Sequence, residues 1–127
     1  MSTRLEDIYT HLKSQGLNVY LPGQHTGDCI SSYVVIKPGA VTKYLDLSSS
    51  ICYYELLCYT PQKYPTQIER YKEEVKRAML ALSPMVKYAD METVPYYDDT
   101  VKAWMVDITY RNIKKVDSDV FQQLDNE

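Results

Sequence analysis

The stretch His25-Thr26-Gly27-Asp28-Cys29 is the one local gathering of metal-type ligands in the chain. A zinc centre needs three or four ligands, usually with a second pair at helical or knuckle spacing. No such pair exists, and His11, the only other histidine, falls on a predicted helix, so the stretch reads as a solvated loop. Asp98-Asp99, directly after Tyr96-Tyr97, is a candidate carboxylate pair for acid–base work. Adjacent aspartates at a hairpin tip more commonly serve the turn, whose geometry they tolerate and whose amides they accept from. Ser48-Ser49-Ser50 lacks the glycine-flanked elbow of a nucleophilic serine, and the four glycines form no phosphate-binding pattern. Cys52 and Cys58 lie in an apolar run, where a thiol's pKa rises and its reactivity falls. Tyrosines beside cations (Tyr71-Lys72, Lys87-Tyr88, Tyr110-Arg111) suggest a platform for single-stranded nucleic acid, but a net charge of −3 does not supply the basic groove this requires. No catalytic residue, metal site or cofactor is assigned.

The elements that would carry these residues are legible from periodicity. Ser2 or Thr3 can cap a first helix with Glu6 and Asp7 in its opening turn; Leu5, Ile8 and Leu12 form its apolar stripe and Gly16 its stop. Leu17–Leu21 alternates as a short strand, and Pro22 to Ser31 is a long loop. Tyr33–Lys37 reads as a strand ended by Pro38-Gly39, followed by a ragged segment from Val41 to Leu47. Ile51–Tyr59 is the longest apolar run, and its unbroken character predicts a central strand covered on both faces. A long amphipathic helix begins after Pro65, with Ile68, Tyr71, Val75, Ala78, Met79 and Leu82 on one face and Glu69, Lys72, Glu73, Lys76 and Arg77 opposite. Ser83-Pro84 ends it. Met91–Tyr97 and Val101–Ile113 then read as two strands joined by a short polar turn, with Trp104, Val106, Ile108 and Tyr110 on one face of the second.

This order predicts an α+β fold: a mostly antiparallel sheet of about five strands, with an N-terminal helix and one long amphipathic helix packed on it. Residues 1–115 form a single domain, and 116–127 an acidic tail with four carboxylates and no Lys or Arg. In that tail Val120, Phe121 and Leu124 share one helical side, with Ser118 as a cap; it reads either as a disordered end or as a short helix that docks on a neighbouring subunit. At 127 residues the chain can bury one core without staples. Three cysteines at irregular spacing are no disulfide framework, and Cys52 and Cys58, six apart in one strand, would stand roughly 20 Å apart. Free thiols, no signal-peptide pattern and no apolar span predict a soluble protein made inside the cell, away from membranes.

Thirteen tyrosines against one phenylalanine and one tryptophan are the strongest compositional bias. Each phenol needs a partner or water when buried, so the excess suits a thin domain with half-wet faces or a subunit that buries surface against others. Tyr9, Tyr53 and Tyr71 are expected in the core. Tyr20, Tyr33, Tyr96, Tyr97 and Tyr110 fall near loops and strand ends, where a partner would meet them.

Several segments, taken in order, carry a resemblance: Leu5-Glu6-Asp7-Ile8-Tyr9, the Tyr20–Cys29 loop, Tyr33–Lys37, Tyr53–Tyr59, Glu73-Glu74-Val75-Lys76 through Leu82, and Tyr96–Ala103 with Tyr110-Arg111-Asn112. Over residues 4–115 the chain resembles the small tail-terminator (tail-completion, or minor tail) proteins of long-tailed bacteriophages and phage-derived contractile particles. The resemblance implies a ring, typically a hexamer, at the head-proximal end of the tail tube. Such a ring stops tube growth and meets the neck, and in a contractile tail the last sheath ring, with DNA passing through its lumen unbound. It implies a virion protein assembled in the host bacterial cytoplasm, with no catalytic residues. Contacts with subunit or tube are then expected at Tyr20, His25, Asp28, Tyr33, Tyr96, Tyr97, Asp98, Asp99, Tyr110, Phe121 and Leu124. Neck or head–tail connector subunits share the general shape. A small ligand-binding or enzymatic α+β domain, using the Pro22–Ser31 loop and the Tyr96–Asp99 tip, is the alternative from another class.

Overall fold

Apolar residues at helical spacing in two segments and alternation in the longer strands build an α+β fold of two layers: among the described residues, two helices lie over one face of a mixed six-stranded sheet. The structure is a computed structural model and describes residues 4–43 and 50–114. In chain order the elements are α1 (Arg4–Ser14), β1 (Val19–Tyr20), β2 (Tyr33–Lys43), β3 (Ser50–Pro61), α2 (Gln67–Met79), a 3-10 turn (Leu80–Leu82), β4 (Lys87–Glu92), β5 (Tyr96–Asp98) and β6 (Ala103–Lys114). The strands lie in the order β1-β2-β3-β6-β4, with β5 also paired to β6.

The helices are held by the stripes that predict them. Ile8 and Leu12 of α1 and Ile68, Tyr71, Val75 and Met79 of α2 are buried on Val34, Ile36, Leu56, Cys58, Val106 and Ile108 of the sheet. Each such aliphatic side chain contributes about 1.5–3 kcal/mol by leaving water. Gly16, at φ +83°, closes α1 in the left-handed conformation that glycine adopts without strain. Thr66 stands at the start of α2, and its side chain makes no capping hydrogen bond. Beyond Met79 the helix tightens into the 3-10 turn and ends at Ser83, whose extended backbone suits the proline after it.

Four features differ from the sequence reading. The expected sheet has about five strands, mostly antiparallel; the observed one has six and is mixed, because β1 pairs parallel with β2. Parallel neighbours need a crossover of about a dozen residues, and the long 22–31 loop provides it. Pro38-Gly39 does not end a strand: β2 continues to Lys43 through a bulge between Pro38 and Val41. Gly39 lets the bulged backbone approach, since a Cβ there would stand 3.2 Å from the Tyr53 carbonyl oxygen. The Met91–Tyr97 segment splits into β4 and β5, both antiparallel to β6. Finally, β3 is central, between β2 and β6, but its burial alternates. Both helices lie on its even-numbered side, so Tyr53, Glu55, Leu57 and Tyr59 face away from them and are only half-buried.

Lys72, expected on the solvent side of α2, is 9% exposed. Its stem lies between α2 and β4, and its ammonium reaches Glu69 at 2.9 Å and Glu92 at 3.1 Å. Glu92 also takes Lys76 at 3.0 Å and the Tyr88 hydroxyl at 2.8 Å. Burial alone would raise its pKa, but hydrogen bonds from Lys76, Tyr88 and Lys72 outweigh that and hold it at about 2. This cluster ties β4, the edge strand, to α2.

Candidate functional site: the open face of the sheet

Strand alternation and register set out the face away from the helices. One row across it is Tyr33, Tyr59, Met105 and Tyr96; the next is Val35, Leu57 and Asp107; then come Lys37, Glu55, Thr109 and Met91. Val35, Leu57 and Tyr59 are half-buried, and Tyr96 is 43% exposed. Met91, Val94 and Ile30 (beside Cys29 in the chain) are exposed apolar side chains. An aliphatic and aromatic sheet surface with no helix on it among the described residues is a candidate contact surface, because single exposed apolar residues are ordinary and contiguous ones are not.

One end of this face is covered by the 22–31 loop. Gly23 and Gly27, both at positive φ, turn it, and the Gln24 side chain accepts from the Leu21 amide at 2.8 Å. The loop crosses β2 and β3 and is pinned where the Cys29 amide donates to the Val101 carbonyl at 2.8 Å. Asp28 and Lys102, 3.8 Å apart and both well exposed, add little. Cys29, Tyr33 and Ala103 form a second small core with Tyr20, Val35, Tyr59 and Val101 around it. Its rings are stacked: His25 on Tyr33 at 4.0 Å, Tyr33 on Tyr59 at 4.7 Å, with Tyr20 edge-on to His25 and Tyr33. Aromatic pairs of this kind add about 0.5–1.5 kcal/mol beyond area burial. Burial pushes the Cys29 thiol up to about 11 and the Tyr59 phenol up to about 12. Neither is poised to react near neutral pH.

The structure therefore brings the His25–Cys29 loop against Val101 and Ala103, just past the Tyr96–Asp99 tip, by a backbone hydrogen bond and by packing. Tyr33 is 3% exposed and belongs to the small core. Tyr96 and Tyr97 point to opposite sides: the Tyr96 hydroxyl meets the Met105 sulfur at 3.0 Å on the open face, while Tyr97 packs edge-on against Trp104. The Asp98 carboxylate accepts from the Thr100 amide at 3.0 Å and from the Thr100 hydroxyl, so it serves the turn; Asp99 is exposed. Tyr110, expected at a surface, is 4% exposed and sits in the helix-side core against Tyr88, because β6 turns even-numbered residues toward α2. Tyr53, expected in the core, faces the open side. Phe121 and Leu124 lie outside the described residues. Among those residues no group of three or more His, Cys, Asp or Glu side chains could hold a metal.

The one unusual chemical feature was not legible in the sequence. Asp107 lies diagonally across from Glu55 on the open face, so that two acids neighbour each other there. Burial, then the neighbouring Glu55, push Asp107 up to about 7, against a smaller lowering by Lys37. Lys37 stands 3.9 Å from Glu55, and the Asp107 Oδ1 atom is buried without a hydrogen-bond partner. The signal that could have found the pair is Glu55 itself, the single charge in the longest apolar run. Its partner is set by register alone.

Compared with protein-family models and with curated proteins, the chain matches none.

Proposed function

We propose that this protein is a structural assembly subunit, a ring-forming tail terminator of a bacteriophage or phage-tail-like particle. In this reading it forms a homo-oligomeric ring, a hexamer, on the head-proximal end of the tail tube. The ring ends tube growth and joins the tube to the neck protein, with the sheath protein as a further neighbour in a contractile tail. It takes no cofactor and catalyses no reaction. The observation that carries the reading is the open sheet face. Leu57, Tyr96 and Met91, with Val35 and Tyr59 half-buried at the margin of the 22–31 loop, form a surface that no helix among the described residues covers; both helices lie on the other side. Ring subunits bury two different faces against their neighbours, and a tyrosine-rich face does so without making the free subunit insoluble. A neck or connector subunit would use the same face.

The test is the mass of the purified protein, alone and mixed with tail tubes, by sedimentation. The expected result is a ring for the wild type and tube-bound protein in the mixture. Tyr96→Glu and Met91→Lys, both at exposed positions, should give monomers with unchanged circular dichroism. A wild type that stays monomeric at every concentration and ignores tubes removes the proposal.

A further inference from the structure

At the far end of the sheet from the 22–31 loop, a cleft of about 480 Å³ opens between the end of α2 and β4. This lies within the ~300–1,000 Å³ range of clefts that hold small ligands. Its floor is apolar, with Met79, Val86 and Tyr110 buried and Leu80, 71% exposed, beside them. Its lining carries three cations, Lys76, Arg77 and Lys87, against one carboxylate, Glu73. Lys76 is engaged by Glu92; among the described residues Arg77 and Lys87 form no ion pair.

Strand β6 runs out beside this cleft. Lys87 pairs with Arg111 and Tyr88 with Tyr110, so β6 leaves the sheet at the end where the cleft lies. Lys114 is only three residues past Arg111, ~10 Å at strand rise. Residues 116–127 have four carboxylates, no Lys or Arg, and the apolar side chains Val120, Phe121 and Leu124. Phe121 is seven Cα steps beyond Lys114, a reach of at most about 24 Å. We infer that the acidic C-terminal segment docks in the α2–β4 cleft of its own subunit, with Phe121 on the Met79–Val86–Tyr110 floor and its carboxylates toward Arg77 and Lys87. Charge complementarity selects the partner, and attachment to β6 supplies a high effective concentration. Docking there leaves the open sheet face free, so the inference stands whether or not the chain assembles into rings.

Disulfide trapping in the full chain tests it. Leu80→Cys paired with Gln122→Cys places thiols at the cleft edge and beside Phe121; Thr26→Cys paired with Gln122→Cys is the control, and peptide mapping identifies the linked residues. The expected result is an intramolecular link that forms about tenfold faster than in the control, the equivalent of ~1.4 kcal/mol. Adding Phe121→Ala or Arg77→Glu, or raising the salt to screen the carboxylates, should abolish that advantage. Equal rates in the two pairs overturn the inference. So do covalent dimers whose yield rises with protein concentration, which would put the segment in the cleft of another copy.

Discussion

Two carboxylates carry opposite shifts because their surroundings differ in kind. Glu92 is surrounded by donors, and Asp107 by burial and a second acid. Ionised Asp107 is costlier in the folded state than in the unfolded chain, so its penalty grows as pH rises from about 4 and is complete above about 7. The melting temperature is therefore expected to rise when the pH is lowered from about 8 to about 6, and Asp107→Asn should flatten that slope. An unchanged slope in the variant would show that Asp107 does not carry it. Glu92 works the other way: its contribution is present above the ordinary glutamate range and is lost as pH falls toward about 2. Glu92→Gln should cost about 1–2 kcal/mol in urea unfolding at neutral pH, with the Lys72 ammonium left half-paired beneath α2.

At the scale of elements, the bulge in β2 and the 22–31 loop decide the shape of the open face. Gly39 sits against the backbone and Cβ of Tyr53, so a larger side chain must push β2 from β3. Gly39→Val is expected to destabilise the fold by about 1–3 kcal/mol, as overpacking does, and to expose the amides of β2 beyond Pro38 to hydrogen exchange. Protection that stays at wild-type level there would place the tight contact elsewhere. The loop depends on Tyr33, the ring between His25 and Tyr59. Tyr33→Ala should cost about 3 kcal/mol or more, the range for a buried aromatic, and should release the loop to proteolysis between Pro22 and Ser31.

For the whole molecule, a sheet that the described helices cover on one side leaves Asp107 half-buried on the face proposed for assembly. A neighbour on that face would desolvate the pair further and favour its protonated form. Ring formation is then expected to take up a proton and to strengthen as pH falls from about 8 to about 6, measured as an association constant by sedimentation. Association that weakens over that range contradicts the placement of the interface. Sequence by itself determined the elements whose signal is local: the Ile8–Leu12 and Ile68–Met79 stripes, the Gly16 stop, the Pro84 boundary, and the alternation that turns Trp104, Val106, Ile108 and Tyr110 the same way. It also marked the loop and the hairpin tip, though not that Cys29 and Val101 join them. Tertiary structure alone decided which side of each strand the helices cover. That choice buried Tyr110 and freed Tyr53, while strand pairing set β1 parallel to β2 and register laid Asp107 beside Glu55. The reason is physical: periodicity says which residues share a face, whereas register and layering, which join residues some 50 positions apart in the chain, say what that face meets.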